Sequence, residues 1–147
     1  MTGTATTEPI TDAERRRIVR FLVGGTVIMV AYWAAWFAAR SVVASNTRSA
    51  YYEFENAFPL ADAWIVVCLL GAARALGRRS ELALAWLLLG AGAGVYLFGM
   101  DVLYDLEQGI WWKSGGGVLE AAINVITLVY SVGLGRWAWT RRAQLLA

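Results

Sequence analysis

Four apolar stretches, each about as long as a bilayer is thick, constrain this chain more than any other feature of its sequence. A hydrocarbon core of about 30 Å is crossed by about 20 helical residues rising 1.5 Å each. Residues 21–39 form an uncharged run, preceded by Arg15, Arg16, Arg17 and Arg20 and closed by Arg40. Residues 82–100 form another, opened by Ser80 and Glu81, which suit a helix N-terminus. Residues 57–76 are apolar except for Asp62 and a snorkelling Arg74, and residues 117–139 except for Glu120 and Arg136. Asp62 falls about 7.5 Å and Glu120 about 5 Å into its helix, near an interface, where an acid is tolerated. A two-span protein with soluble hairpins would expose long Val, Ile, Leu and Trp runs to water. A cleaved signal peptide has a shorter apolar core and lacks the polar 14-residue head seen here.

The fold class that follows is all-α: an integral-membrane four-helix bundle with spans over about 18–40, 57–76, 81–104 and 117–139, in one domain over 15–147. Residues 1–14, rich in Thr and acids, are expected to be a disordered head. Ser114-Gly115-Gly116-Gly117 is expected to be a flexible joint. Arg15, Arg16, Arg17, Arg20, Arg74, Arg78, Arg79, Arg136, Arg141 and Arg142 fall at one end of such a bundle; only Arg40, Arg48 and Lys113 fall at the other. By the positive-inside rule both termini are then cytoplasmic (N-in/C-in), and a multi-pass protein of a bacterial-type plasma membrane is expected.

The acids divide the opposite way. Glu53, Glu55, Asp62, Asp101, Asp105, Glu107 and Glu120 belong to the outer end, against Glu8, Asp12, Glu14 and Glu81 inside. The chain has no histidine, and Cys68 is its sole cysteine. No haem, nucleotide or Cys/His metal site is therefore indicated, and no Ser-His or Cys-His nucleophile can be built. Nucleic-acid binding is not expected either, because topology already accounts for the arginines.

Helical periodicity makes the acids a candidate site. Gly90 and Gly94 form a close-packing GxxxG pair. Steps of three and four carry that face on to Asp101 and Asp105, at a helix C-terminus where the macrodipole disfavours an acid without a role. Glu120, Asn124, Thr127 and Ser131 make one polar stripe on the last span. Asn56 is expected to cap the second span and Pro59 to occupy its first turn, placing Asp62 one turn inside. Trp33, Trp36 and Arg40 descend one face of the first span, with Arg40 as the cation placed to neutralise the acids. Tyr51, Tyr52, Trp111 and Trp112 are expected in an outer aromatic belt, Trp137 and Trp139 in an inner one.

The ligand-binding candidates are Asp62, Asp101, Asp105, Glu120, Asn124, Glu55, Arg40, Trp33, Trp36 and Tyr104. Carboxylates crowded in a low dielectric cannot all ionise; they share protons, pair with Arg40, or bind a cation. Oxygen ligands suit a hard metal ion, for which Asp62, Asp101, Asp105 and Glu120 are candidates; the aromatics suit an organic ammonium. This favours a pocket for a cation or a small lipophilic ligand. One alternative is acid–base isomerisation or cyclisation of a lipophilic substrate, with Asp101, Asp105 and Glu120 as catalytic candidates. The other is an accessory subunit, homo-oligomeric or part of a larger membrane complex. Membrane lipid is a partner in every case.

Overall fold

A computed structural model of the chain describes residues 9–44, 46–113 and 116–147. The regular elements within them are α-helices in the order α1 (Asp12–Val43), α2 (Ser49–Glu55), α3 (Phe58–Gly77), α4 (Leu82–Gln108), α5 (Ile110–Lys113), α6 (Gly117–Thr140) and α7 (Arg142–Leu145). The long helices α1, α3, α4 and α6 are the expected spans, and they are long and apolar enough to cross a membrane. Ile28, Phe37, Tyr96, Ile126 and Val129 are among many large apolar side chains left exposed on them, as in a chain whose solvent is lipid. The protein is thus a multi-pass membrane protein.

Local chemistry sets the helix ends. The Thr11 hydroxyl accepts from the Glu14 backbone N–H at 3.1 Å, so Thr11 and Glu14 stand as in a capping box. That cap starts α1 at Asp12, which corrects the disordered head: Asp12 to Glu14 are helical, and residues 1–8 lie outside the described residues. The connector before α3 is not a loop but the short helix α2. Asn56 closes that helix, and Ala57, not Asn56, stands at the N-cap of α3. Gly109 adopts the left-handed conformation, φ 68° and ψ 32°, which ends α4 and turns the chain back as α5. A side chain at Gly117 would run into the backbone of Ile110 and Trp111, so α6 starts in direct contact with α5. Residues 114–115 of the expected joint lie outside the described residues.

The helices pack in sequence, α1 on α3, α3 on α4 and α4 on α6. Gly90 is packed against Cys68 of α3 and Gly94 against Ser131 of α6, so the small-residue stripe faces both neighbours. Leu22, Leu69, Leu76, Leu87, Leu134 and Ala138 form a core toward one end; Trp36, Tyr51 and Ile110 form a smaller one at the other. At the first end, Arg79 pairs with Asp12 at 3.0 Å and Arg141 with Glu14 at 3.1 Å. The Arg15 guanidinium donates to the Leu76 carbonyl at 2.9 Å, and Trp137 Nε1 to Glu14 at 3.1 Å. Trp137, expected in the inner aromatic belt, is thus tied to Glu14 at this end.

The ring of helices is not closed. Among the described residues, α1 and α6 make no close backbone approach. They meet through long side chains: Trp137 and Arg141 on Glu14, and, about two turns further along, Tyr130 on Phe21. From Tyr130 toward the acidic end the seam between them is open.

Candidate functional site

The i, i+4 spacing that puts Asp101 over Asp105 on α4 also puts Glu120 over Asn124 on α6. Packing of α4 on α6 brings the two pairs face to face. One carboxylate oxygen from each of Asp101, Asp105 and Glu120 lies within 4.8 Å of the other two. Asp105 is 1% and Glu120 6% exposed. Such groups need partners, and the fold supplies donors. Asp105 accepts from Trp111 Nε1 at 2.7 Å and from Asn124 Nδ2 at 2.9 Å. Glu120 accepts from the Tyr51 hydroxyl at 2.7 Å. On α3, Asp62 accepts from Trp33 Nε1 of α1 at 2.7 Å. Each of these donors is neutral, so the hydrogen bonds orient the acids without cancelling their charge.

A cavity of about 590 Å³ runs down the bundle from these acids. Its upper wall carries Glu55, Asp62, Asp101, Glu120 and Asn124 with Tyr32 and Trp33; below, the wall turns apolar, through Ile65, Leu69, Leu97, Phe98 and Ile123 to Leu134. The volume suits one small organic molecule. The Thr127 and Ser131 hydroxyls extend the polar stripe of α6 along one side.

Of the residues expected to bind a ligand, Trp33, Glu55, Asp62, Asp101, Glu120 and Asn124 line this cavity. Asp105 stands behind the wall, held by Trp111 and Asn124. Arg40 is not the counter-ion expected of it. Helix α1 breaks at Ala39, φ −146° and ψ 50°, and the Arg40 guanidinium lies over Trp36 at 5.4 Å and Tyr52 at 5.3 Å while donating to Asn56 at 3.4 Å. Both ion pairs among the described residues lie at the arginine-rich end, far from the acids. Trp36 is fully buried in the aromatic core with its Nε1 on Asn56, and Tyr104 is stacked on Phe54 at 3.8 Å, so neither reaches the cavity. Both pack the cap of the bundle, because bulky rings here fill the space under α2.

Tyr51 and Trp111, expected in the aromatic belt, instead turn inward as donors to Glu120 and Asp105. Their signal was present in Gly109, whose turn folds α5 back over Asp105, and in the apolar spacing of the α2 helix, which buries Tyr51 and Glu55. Tyr32 and Tyr130, both on cavity walls, carried no comparable sequence signal.

Two ionised carboxylates at 4.8 Å repel by about 3.5 kcal/mol at an effective dielectric of about 20. With neutral donors around them, the acids crowd together at the head of a largely apolar chamber. Asp101, Asp105 and Glu120 could also offer hard oxygen ligands to a metal ion. Comparison of the chain with protein-family models, with characterised proteins and with solved structures yields no match.

Proposed function

We propose that this protein binds a small lipophilic cation, with the cationic head among Asp62, Asp101, Glu120 and Asn124 and the apolar body in the chamber below. The division of the cavity wall carries the reading. Acids with no ion-pair partner among the described residues crowd one end, and, apart from the Thr127 and Ser131 hydroxyls along α6, aromatic and aliphatic side chains dominate the remainder. Such a wall is complementary to a ligand that is positive at one end and greasy elsewhere, and Tyr32 and Trp33 add ring faces that favour a desolvated cation. With the arginine-rich end in the cytoplasm, the head site faces the outer leaflet.

Tetraphenylphosphonium and tetraphenylborate, matched in shape and opposite in charge, test this. The protein in lipid nanodiscs is titrated with each and followed by tryptophan fluorescence and calorimetry. Saturable binding of the phosphonium, weakened at least tenfold by Glu120→Gln, is expected. Equal affinity for the borate would end the proposal.

The 4.8 Å grouping of Asp101, Asp105 and Glu120 favours a second reading, a divalent cation held by the same acids. A melting temperature raised by Ca²⁺ or Mg²⁺ and lowered by EDTA would select the ion. Indifference to all three is expected if the site takes an organic cation.

A further inference from the structure

Resting on the binding reading above, we infer that the ligand is a tailed amphiphile that loads sideways from the bilayer through the seam between α1 and α6, and that Tyr130 limits how far its tail descends.

The first ground is the cap. Helices α2 and α5 close the acidic end: Tyr51 and Ile110 are each 1% exposed, and Glu55 and Glu120 beneath them are buried. Tyr51 on Glu120 and Trp111 on Asp105 tie this cap to α6 and α4. A ligand arriving along the bundle axis would have to displace Tyr51 from Glu120, the capped acid that lines the cavity.

The second ground is the side. Along the upper half of the cavity, α1 and α6 do not pack on one another, although both line it. Ile28 on α1 and Ile126 on α6 belong to the cavity wall and are nonetheless 72% and 65% exposed. Side chains that both line a chamber and face outward mark its opening. This opening is framed by apolar groups at membrane depth, so what stands before it is lipid. A membrane-dissolved amphiphile can slide its head to the acids while its tail stays in contact with hydrocarbon.

The third ground is the sill. The Tyr130 ring stacks on Phe21 at 4.4 Å between centroids, and its hydroxyl donates to the Phe21 carbonyl at 3.2 Å. It lies directly on Gly25, where a side chain would meet the phenol ring. Below it, Glu14 with Trp137 and Arg141 keeps the seam sealed. The open length from Glu120 to Tyr130 is ten residues of helix, about 15 Å. A tail of matching length gains by burial; past Tyr130 only the last turn of the chamber, to Leu134, is left, and a tail longer than that gains nothing more.

A series of alkyltrimethylammonium ions from butyl to hexadecyl, each used below its micellar concentration, tests the inference in nanodiscs by displacement of tetraphenylphosphonium. Affinity is expected to rise with tail length and then level off. Gly24 lines the cavity with open space at its side-chain position, so Gly24→Phe is expected to leave the fold intact and obstruct the tail path. It should weaken the long tails at least tenfold and leave the butyl ion unchanged. Tyr130→Ala should move the levelling point to longer tails. A dodecyl probe with a terminal diazirine adds a readout on the unmutated protein; its adducts are expected on α1 and α6 near Gly25 and Thr127. Affinity independent of tail length, or adducts confined to α2 and α5, would overturn lateral loading while leaving the head site standing. If the butyl ion and tetraphenylphosphonium both fail to bind, the binding reading itself falls.

Discussion

Replacing Asp101 by Asn separates a binding site from a merely structural acidic cluster, because the two predict opposite signs. Asp101 contributes an oxygen within 4.8 Å of those of Asp105 and Glu120, and it lines the cavity. Each ionised pair at that distance repels by about 3.5 kcal/mol at an effective dielectric of about 20. Proton sharing relieves part of it, so Asp101→Asn is expected to stabilise the ligand-free protein by about 1–2 kcal/mol, the gain usual when strain held for function is removed. The same substitution removes one of the charges that attract the cationic head. Loss of about 1.4–2.8 kcal/mol of that attraction is a ten- to hundredfold weaker Kd. The assay is thermal unfolding in nanodiscs by tryptophan fluorescence, run without ligand and over a series of tetraphenylphosphonium concentrations. The parent should melt lower without ligand and gain more from it, so the two curves cross. An Asn variant that is less stable without ligand and binds the phosphonium as tightly as the parent would refute the reasoning.

Four further outcomes are expected. Tyr51→Phe removes the 2.7 Å donor to buried Glu120 and should destabilise by about 1.5–3 kcal/mol, less in a Glu120→Gln background, as read by a double-mutant cycle of unfolding. Gly71→Ala drives a methyl into the Trp86 ring and should cost about 1–3 kcal/mol, whereas Gly92→Ala, with open space beside it, should be neutral or stabilising by up to about 1 kcal/mol in the same unfolding assay. Glu14→Gln weakens the Trp137 and Arg141 contacts and should lower stability by about 1 kcal/mol while phosphonium affinity stays constant, since it acts beyond the sealed end of the seam. Reporter fusions after Arg79 and after Glu107 should report cytoplasm and exterior respectively; the reverse pattern would put the acids on the inside.

Much of the architecture could be read directly from the residues. The bilayer imposes rules that act along the chain: span length, hydropathy and the side on which arginines collect. The Glu120–Asn124–Thr127–Ser131 stripe was legible for the same reason, since a helix converts spacing into a face. Asp62, Asp101 and Glu120 were placed on the cavity by depth and periodicity alone. The sequence by itself thus determined four spans, an acidic end opposite an arginine-rich end, and the inward acids.

Tertiary structure decided the rest, because it depends on helix rotation and on breaks that hydropathy does not encode. The kink at Ala39 turns Arg40 onto Trp36, Tyr52 and Asn56 and leaves the acids without the cation expected to neutralise them. The left-handed Gly109 folds Trp111 over Asp105, taking that acid out of the wall. Rotation of α2 brings Tyr51 under the cap as a donor to Glu120. Above all, α1 and α6 meet at Tyr130 and part above it. Ile28 and Ile126 at the open side are as apolar as the side chains that α1 and α6 show to lipid, such as Phe37 and Val129, so no pattern along the chain distinguishes a closed bundle from one with an open side.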